Sequence, residues 1–372
     1  LDDDVTVRIH VQISDYLPNN IIGGALPSFK AQQDYTQFNQ KLFNDRQSGD
    51  DFTAYQNLDS STYSVRFESG TYDNLSNLSL TNANAKALGL ITAGKKSEVL
   101  DGYILMNSLN NYSNINWNYD FDRQKNNEPN SIDFLSTALH EIGHALGFVS
   151  GVDSAKVRDN NATTEENIER LIRNSPLDLY RQGTNTLNGN VSNLGVGADT
   201  FFSIDGTKTI AQVSTGTQDF ISNSADGFQA SHWKYNADNP LGIMTPALKF
   251  GQTIEISNLD LRALDVIGWD RSRSDIFVDY SQMLLEGKII LGQKLERNGD
   301  ANLIDSYLNN GTSSLAADLL SENKTLEVIS MILDSEIYTW GSWGSGGTCN
   351  TCWNQELIDF LAQASFFDQS LY

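Results

Sequence analysis

His140, Glu141 and His144 stand in the order HExxH within the stretch SIDFLSTALHEIGHALGF, residues Ser131 to Phe148. On a helix, positions i and i+4 lie one above the other on the same face. Two imidazoles so placed can bind one metal ion without help from loop geometry. Glu141, next to a ligand, is placed to act as a general base on water. Two ligands beside a base are the makings of a metal-dependent hydrolytic centre.

The stretch is predicted to be helical on separate grounds. Phe134, Leu135, Ala138, Leu139, Ile142 and Leu146 recur at helical spacing. Ser131 is the expected N-cap, with Asp133 in the first turn, where the helix dipole favours an anion. Gly147 follows the apolar run and suits a left-handed stop. Helix and motif together read as the zinc-peptidase signature rather than as an amphipathic helix with two incidental histidines.

The remaining chain must position this helix. Val5, Val7, Ile9, Val11 and Ile13 alternate with polar residues and predict a half-buried strand. His10 lies on its polar side and reads as an exposed or hydrogen-bonded histidine. Ala25 to Arg46 reads as a helix, Tyr63 to Phe67 as a strand, and Tyr72 to Leu80 as loop or short strand. Ala83 to Leu90 reads as a short helix. Tyr103 to Met106, apolar throughout, is expected to be a central strand, and Ile115 to Phe121 another strand or an edge segment. After Gly147, Glu165 to Arg173 is expected to be helical, Ser175 to Tyr180 extended, and Leu187 to Gly197 loop. Phe201 to Gly206 and Thr209 to Val213 are expected to form a hairpin around Asp205-Gly206. Ser257 to Ile267 reads as a helix capped by Ser257 or Asn258. The pattern is that of an α+β layer with the motif helix packed under a sheet.

Beyond Trp269 the composition shifts. Asp275 to Gly287, Leu303 to Leu308, Ser314 to Leu320, Leu326 to Tyr338 and Asn354 to Ala364 are helical in pattern. The expected division is 1–147, ending with the motif helix; 148–270, carrying the rest of the site; and 271–372, a helical accessory region. Cys349 and Cys352 form a lone CxxC. With no second pair and no neighbouring histidines it is a poor zinc site, and two cysteines make no disulfide framework.

The 372 residues carry a net charge of −22, from 47 acidic and 25 basic residues. That balance argues against nucleic acid or an anionic membrane surface as partner. No apolar run reaches the ~18 residues of a membrane span. Richness in Asn, Ser, Thr and Asp, with a start at Leu1, suggests an exported protein from which an N-terminal segment has been removed. The acidic loops admit calcium, but none matches a recognised calcium pattern.

A catalytic zinc usually has three protein ligands and an open position. The chain has four histidines: His10, His140, His144 and His232. His232, Asp153 or one of Glu165, Glu166 and Glu169 could complete the set. The segment SHWKYNADNPLGIMTPA, with His232 ahead of Met244, decides for His232. Here the sequence resembles the metzincins, and among them the leishmanolysin-type enzymes with their bacterial relatives. Those carry HExxHxxGF, a long insertion, then a third histidine shortly before the methionine of a Met-turn. His140, Glu141, His144, Gly147, Phe148, His232 and Met244 follow that order over roughly residues 131–269. Ser150 stands where other metzincins have a histidine. Thr245-Pro246 stands where some place an oxyanion-stabilising tyrosine, so Tyr235, near His232, has no assigned role.

The resemblance implies a twisted sheet over the zinc helix, then a C-terminal subdomain with His232 and Met244. It implies one zinc on His140, His144 and His232, Glu141 as general base, and Met244 packed beneath the site. The expected activity is that of a zinc endopeptidase acting on protein or peptide substrates. The alternatives are an inactive zinc-containing binding module, which has no need of Glu141, and a zinc exopeptidase, for which no terminus-capturing pocket is visible.

Overall fold

The computed structural model describes residues 1–15, 17, 21–67, 70–91, 100–110, 112–121, 129–153, 174–186, 191–216 and 225–271, and the backbone of 337–340. In chain order these form β1 (Ile9–Ser14), β2 (Ile21–Pro27), β3 (Phe29–Asp34), α1 (Tyr35–Asp45), α2 (Gly49–Gln56), β4 (Tyr63–Phe67), β5 (Gly70–Leu75), β6 (Asn77–Thr81), α3 (Asn82–Ala87), β7 (Gly102–Asn107), β8 (Asn116–Asn118), β9 (Ser131–Asp133) and α4 (Phe134–Leu146). Two 3-10 turns follow, Gly151–Asp153 and Pro176–Tyr180. Then come β10 (Arg181–Gly183), β11 (Val191–Asn193), β12 (Thr200–Phe202), β13 (Ala211–Gln212), β14 (Ala247–Lys249), α5 (Asn258–Asp265) and β15 (Ile337–Trp340). Among the described residues this is a mixed α and β architecture of small open sheets and five α-helices, compatible with the α+β class.

The largest sheet has the order β1-β7-β2-β15-β14. β7 is central to its first half, parallel to β1 and antiparallel to β2. Its apolar run fits burial on both faces. One face receives α4: Phe134 and Ile142 pack against Ala25, Ile104 and Met106. A second, larger core runs from Ile22 to Trp269 and includes Phe148, Trp233 and Met244, so the segments on either side of α4 share it.

The start and stop of α4 are set by side chains. Its N-cap is Asp133, which accepts from Ser136 N at 2.8 Å and Ser136 Oγ at 2.6 Å. Ser131 is therefore not the cap; it lies in β9, paired with Asn116 of β8. At the other end Gly147 has φ 121°, and a Cβ there would meet Ile267 Cδ1 at 3.0 Å. The site thus favours glycine both for its backbone and for its space. Trp269 Nε1 donates to Leu146 O at 2.8 Å, satisfying one of the helix's last carbonyls.

Several expectations change. Ala25 to Arg46 is not one helix. The chain passes through β2 and β3 before α1 begins at Tyr35, where Asp34 accepts from Gln37 N. Pro27 has no N–H for a helix interior, whereas it suits a strand end. Ser175 to Tyr180 is a 3-10 turn closed by a Ser175/Asp178 capping box with Pro176 in its first turn. Within Leu187 to Gly197, β11 pairs in parallel with β4. Tyr72 to Leu80 contributes strand to β5 and β6. Val5 to Ile13 is strand only from Ile9. The hairpin is found, with Phe201 paired to Gln212 and Gly206 at φ 67° in its turn. Ile337 and Tyr338, read as the end of a helix, lie in β15. The other helical expectations at 165–173 and beyond 271, and Cys349 and Cys352, lie outside the described residues.

Acidic side chains gather where α1, α2, α5 and the first residues meet. Asp2 N donates to Asp270 O, and Asp270 N to Asp3 Oδ2. Burial, then the charges of Asp270, Asp3, Asp51 and Asp265, push the Asp45 carboxyl up to about 7. An acid raised above its unfolded value of 3.8 costs stability; the cost builds as the pH rises from 3.8 to about 7, is full above that, and is gone below 3.8. Asp45→Asn is expected to stabilise the protein by about 1 kcal/mol at slightly alkaline pH, after discounting for partial exposure, and by little in acid. Urea midpoints of both proteins across that range measure it. An equal gain at every pH would contradict the assignment.

Candidate metal centre

Three buried imidazoles converge among the described residues. His140 and His144 project from one face of α4, one turn apart. His232 arrives from the segment after residue 225. His140 Nε2 stands 3.0 Å from His144 Nε2 and 3.2 Å from His232 Nε2. The rings of His140 and His232 are stacked at 15°, and His144 is edge-on to both, at 75° and 78°. Tetrahedral nitrogen ligands ~2.1 Å from a zinc ion lie roughly 3.4 Å apart, close to these separations.

Each ring is turned by a backbone carbonyl. His140 Nδ1 donates to Ile243 O at 2.8 Å, His144 Nδ1 to Phe148 O at 2.6 Å and His232 Nδ1 to Gln229 O at 3.0 Å. A carbonyl only accepts, so each Nδ1 carries the proton and each Nε2 presents a lone pair. Such second contacts commonly orient metal-binding histidines. Burial, then the nearby His144 and His232, hold His140 well below the usual imidazole range; burial and His144 do the same for His232. Both rings are therefore neutral at pH 7, the form that binds metal. Three lone pairs crowded into one buried spot repel one another unless a cation sits among them. The donor set therefore fits a metal ion. Among the described residues this trio is the cluster of His, Cys, Asp or Glu side chains close enough to hold one.

Glu141 is fully buried one residue along the helix. It faces β2: a Cβ on Gly23 would lie 2.5 Å from Glu141 Oε1 and 2.8 Å from Thr137 Cγ2. The glycine in β2 lets the strand approach the carboxylate closely. Met244 is buried beneath α4, where a Cβ on Gly143 would overlap its Sδ.

The third histidine is positioned from three directions. Trp233 N donates to Met244 O and Ser214 N to His232 O, each at 2.9 Å, tying its strand-like segment to its neighbours. Trp233, with its indole packed edge-on to Phe148 and Phe202, donates Nε1 to Asp260 Oδ1 at 2.7 Å. Asp153 accepts from Ala230 N at 2.6 Å and Ser231 N at 2.9 Å, holding the two residues before His232. Asp153 is thus spent on backbone and is not in the histidine cluster, which removes it as the third ligand.

Asp260 was not legible as a site residue. Its carboxylate is 1% exposed and accepts from Ile243 N, Met244 N, Trp233 Nε1, Ser257 N and Ser257 Oγ. It therefore fixes the turn whose Ile243 carbonyl orients His140. The Ser257-x-x-Asp260 capping box was the available signal, but it speaks only of a helix start. His10 lies apart on β1 beside Tyr103, and Tyr235 packs on Phe228. Glu165, Glu166 and Glu169 lie outside the described residues.

Searches of protein-family models, of curated proteins and of solved structures found no match to this chain. No helix of the described residues is long and apolar enough to cross a membrane.

Proposed function

We propose that this chain is a zinc-dependent endopeptidase with a metzincin-like catalytic region. The reading is carried by one observation: three buried imidazoles aim their Nε2 atoms at a common point while a buried carboxylate stands one residue from the first. A purely structural site has no use for that carboxylate, and structural zinc sites are usually closed by a fourth protein ligand. All-nitrogen donors favour zinc or another transition ion over calcium or magnesium.

His140, His144 and His232 would hold the ion. When bound, zinc supplies Lewis acidity towards a water molecule and a peptide carbonyl. Glu141 takes the water's proton as its oxygen attacks the carbonyl carbon, then gives that proton to the leaving amine. The Nδ1–carbonyl contacts keep the three rings fixed through the cycle. The Met244 side chain fills the space under α4, so the helix cannot sink away from His232.

The chain loaded with one equivalent of zinc is expected to cut an internal bond of a peptide blocked at both ends. A strong chelator removes the activity and added zinc returns it. Zinc bound at the three histidines with no blocked peptide cut would sink the reading.

A further inference from the structure

Gly23 sits in β2 against the side of α4 that carries Thr137 and Glu141, one turn apart. A Cβ on it would stand 2.5 Å from Glu141 Oε1, 3.2 Å from Glu141 Cδ and 2.8 Å from Thr137 Cγ2. Unbonded carbon and oxygen settle at about 3.3–3.6 Å even in a favourable C–H···O contact, so any larger residue would overlap the carboxylate. The backbone does not ask for glycine here, because Gly23 is not among the residues with positive φ. Glycine inside a strand weakens it, and one common reason to find it there is a close approach by another group. At Gly23 that group is the carboxylate of the proposed general base.

Both walls of the contact are fixed. Gly23 pairs with Met106 in the β2–β7 ladder. Met106 is buried and packs, with Ala25 and Ile104, against Phe134 and Ile142 of α4, so strand and helix are pressed together. On the helix side Thr137 is buried and donates Oγ1 to Asp133 O at 3.1 Å, which holds its methyl toward β2. A glutamate side chain turns about several bonds, whereas a general base must meet its proton at hydrogen-bond distance. Packing against an unyielding strand narrows the places its carboxylate can take.

We propose that Gly23 is a positioning residue for Glu141: the space left by its missing side chain is the seat of the carboxylate, and a single methyl added there displaces it. The effect on turnover rests on the endopeptidase reading; the contact itself does not.

The test is a pair of double-substitution cycles on the full zinc-loaded chain carrying Thr137→Ser. That change removes the Thr137 methyl and keeps the hydroxyl, so the closest atoms left facing the methyl of Gly23→Ala are those of Glu141. Glu141→Asp draws the carboxylate back by one methylene and frees the space. With Glu141 in place, Gly23→Ala is expected to lower kcat about 100-fold on a blocked peptide, a typical cost of a displacement near ~1 Å, with KM and zinc content unchanged. Combined with Glu141→Asp, which lowers kcat by itself, Gly23→Ala should cost less than about threefold more. The urea midpoint should follow the same pattern, falling on Gly23→Ala with Glu141 and holding with Glu141→Asp.

A merely structural glycine would lower kcat and midpoint equally in both backgrounds, and that result would overturn the proposal. So would a higher KM with kcat unchanged. A coupled midpoint in proteins that cleave no peptide would support the seat and count against the peptidase reading. If Gly23→Ala does not fold, it is repeated together with Glu141→Ala. A folded, zinc-binding protein then supports the contact, and one that still fails to fold overturns it.

Discussion

Glu141→Ala is expected to keep the metal and lose about 10²–10⁴-fold in peptide turnover, the usual worth of a positioned general base. The two halves of that result have different causes. The three imidazoles are oriented by Ile243 O, Phe148 O and Gln229 O, none of which Glu141 touches as a hydrogen-bond donor or acceptor in those contacts. Metal content should therefore stay at the wild-type level. The carboxylate is buried beside Gly23, and removing it takes away the acceptor for the water's proton. Glu141→Gln separates charge from shape: it fills the same space yet cannot take a proton, so its loss should match that of alanine. Metal analysis and kcat on the same samples decide the matter. Turnover that survives either substitution would remove Glu141 from the chemistry. Loss of metal with loss of turnover would make it a structural residue.

Asp260→Ala should be the most damaging single change to stability outside the ligands. Five donors end on its carboxylate, among them the buried indole N–H of Trp233 and the amide of Ile243, at 2.7 and 2.8 Å. Truncation strands these groups away from water, at about 1–3 kcal/mol for each one left unsatisfied. Two such groups and the lost half of the α5 capping box, the bond from Ser257 N, together suggest about 3–5 kcal/mol, at the diagnostic end of single-residue effects. The damage also reaches the metal, because the Ile243 carbonyl turns His140 and the Trp233 backbone adjoins His232. Urea unfolding with and without zinc, and a zinc-competition titration, should both shift. Asp260→Asn, which keeps one acceptor oxygen, should fall between. A full loss of stability with unchanged zinc affinity would show that the Met244 turn is held by something other than Asp260.

The metal helix was readable because two independent patterns coincide there, apolar spacing and ligand spacing. His232 carries no local pattern of its own; only its order relative to Met244 drew attention to it. The structure brings it to His140 through contacts that are invisible along the chain, since Asp153 and Asp260 reach it from distant positions. Ala25 to Arg46 was misread because Phe29 lies on a strand and Tyr35, Phe38 and Leu42 on a helix, and the two spacings merge into one plausible helical face. Pro27 and the Asp34 cap were the break signals, and each outweighs a hydrophobic match. Strands of three residues, such as β9, β11 and β14, span too little of a two-residue repeat to be seen at all. They exist because a longer neighbour or the core holds them.

The bonds from Ser150 Oγ and Gly151 N to Asp178, and from Ser175 Oγ to Val149 O, bring the chain back beside itself in one short stem. Sequence inserted between residues 153 and 174 therefore costs mainly closure entropy, about 0.6 kcal/mol for each doubling of loop length. The stem is a place where length can change while the histidines keep their geometry. The stretch from 174 to 216 is not, because Phe202 packs on Trp233 and Ser214 N donates to His232 O.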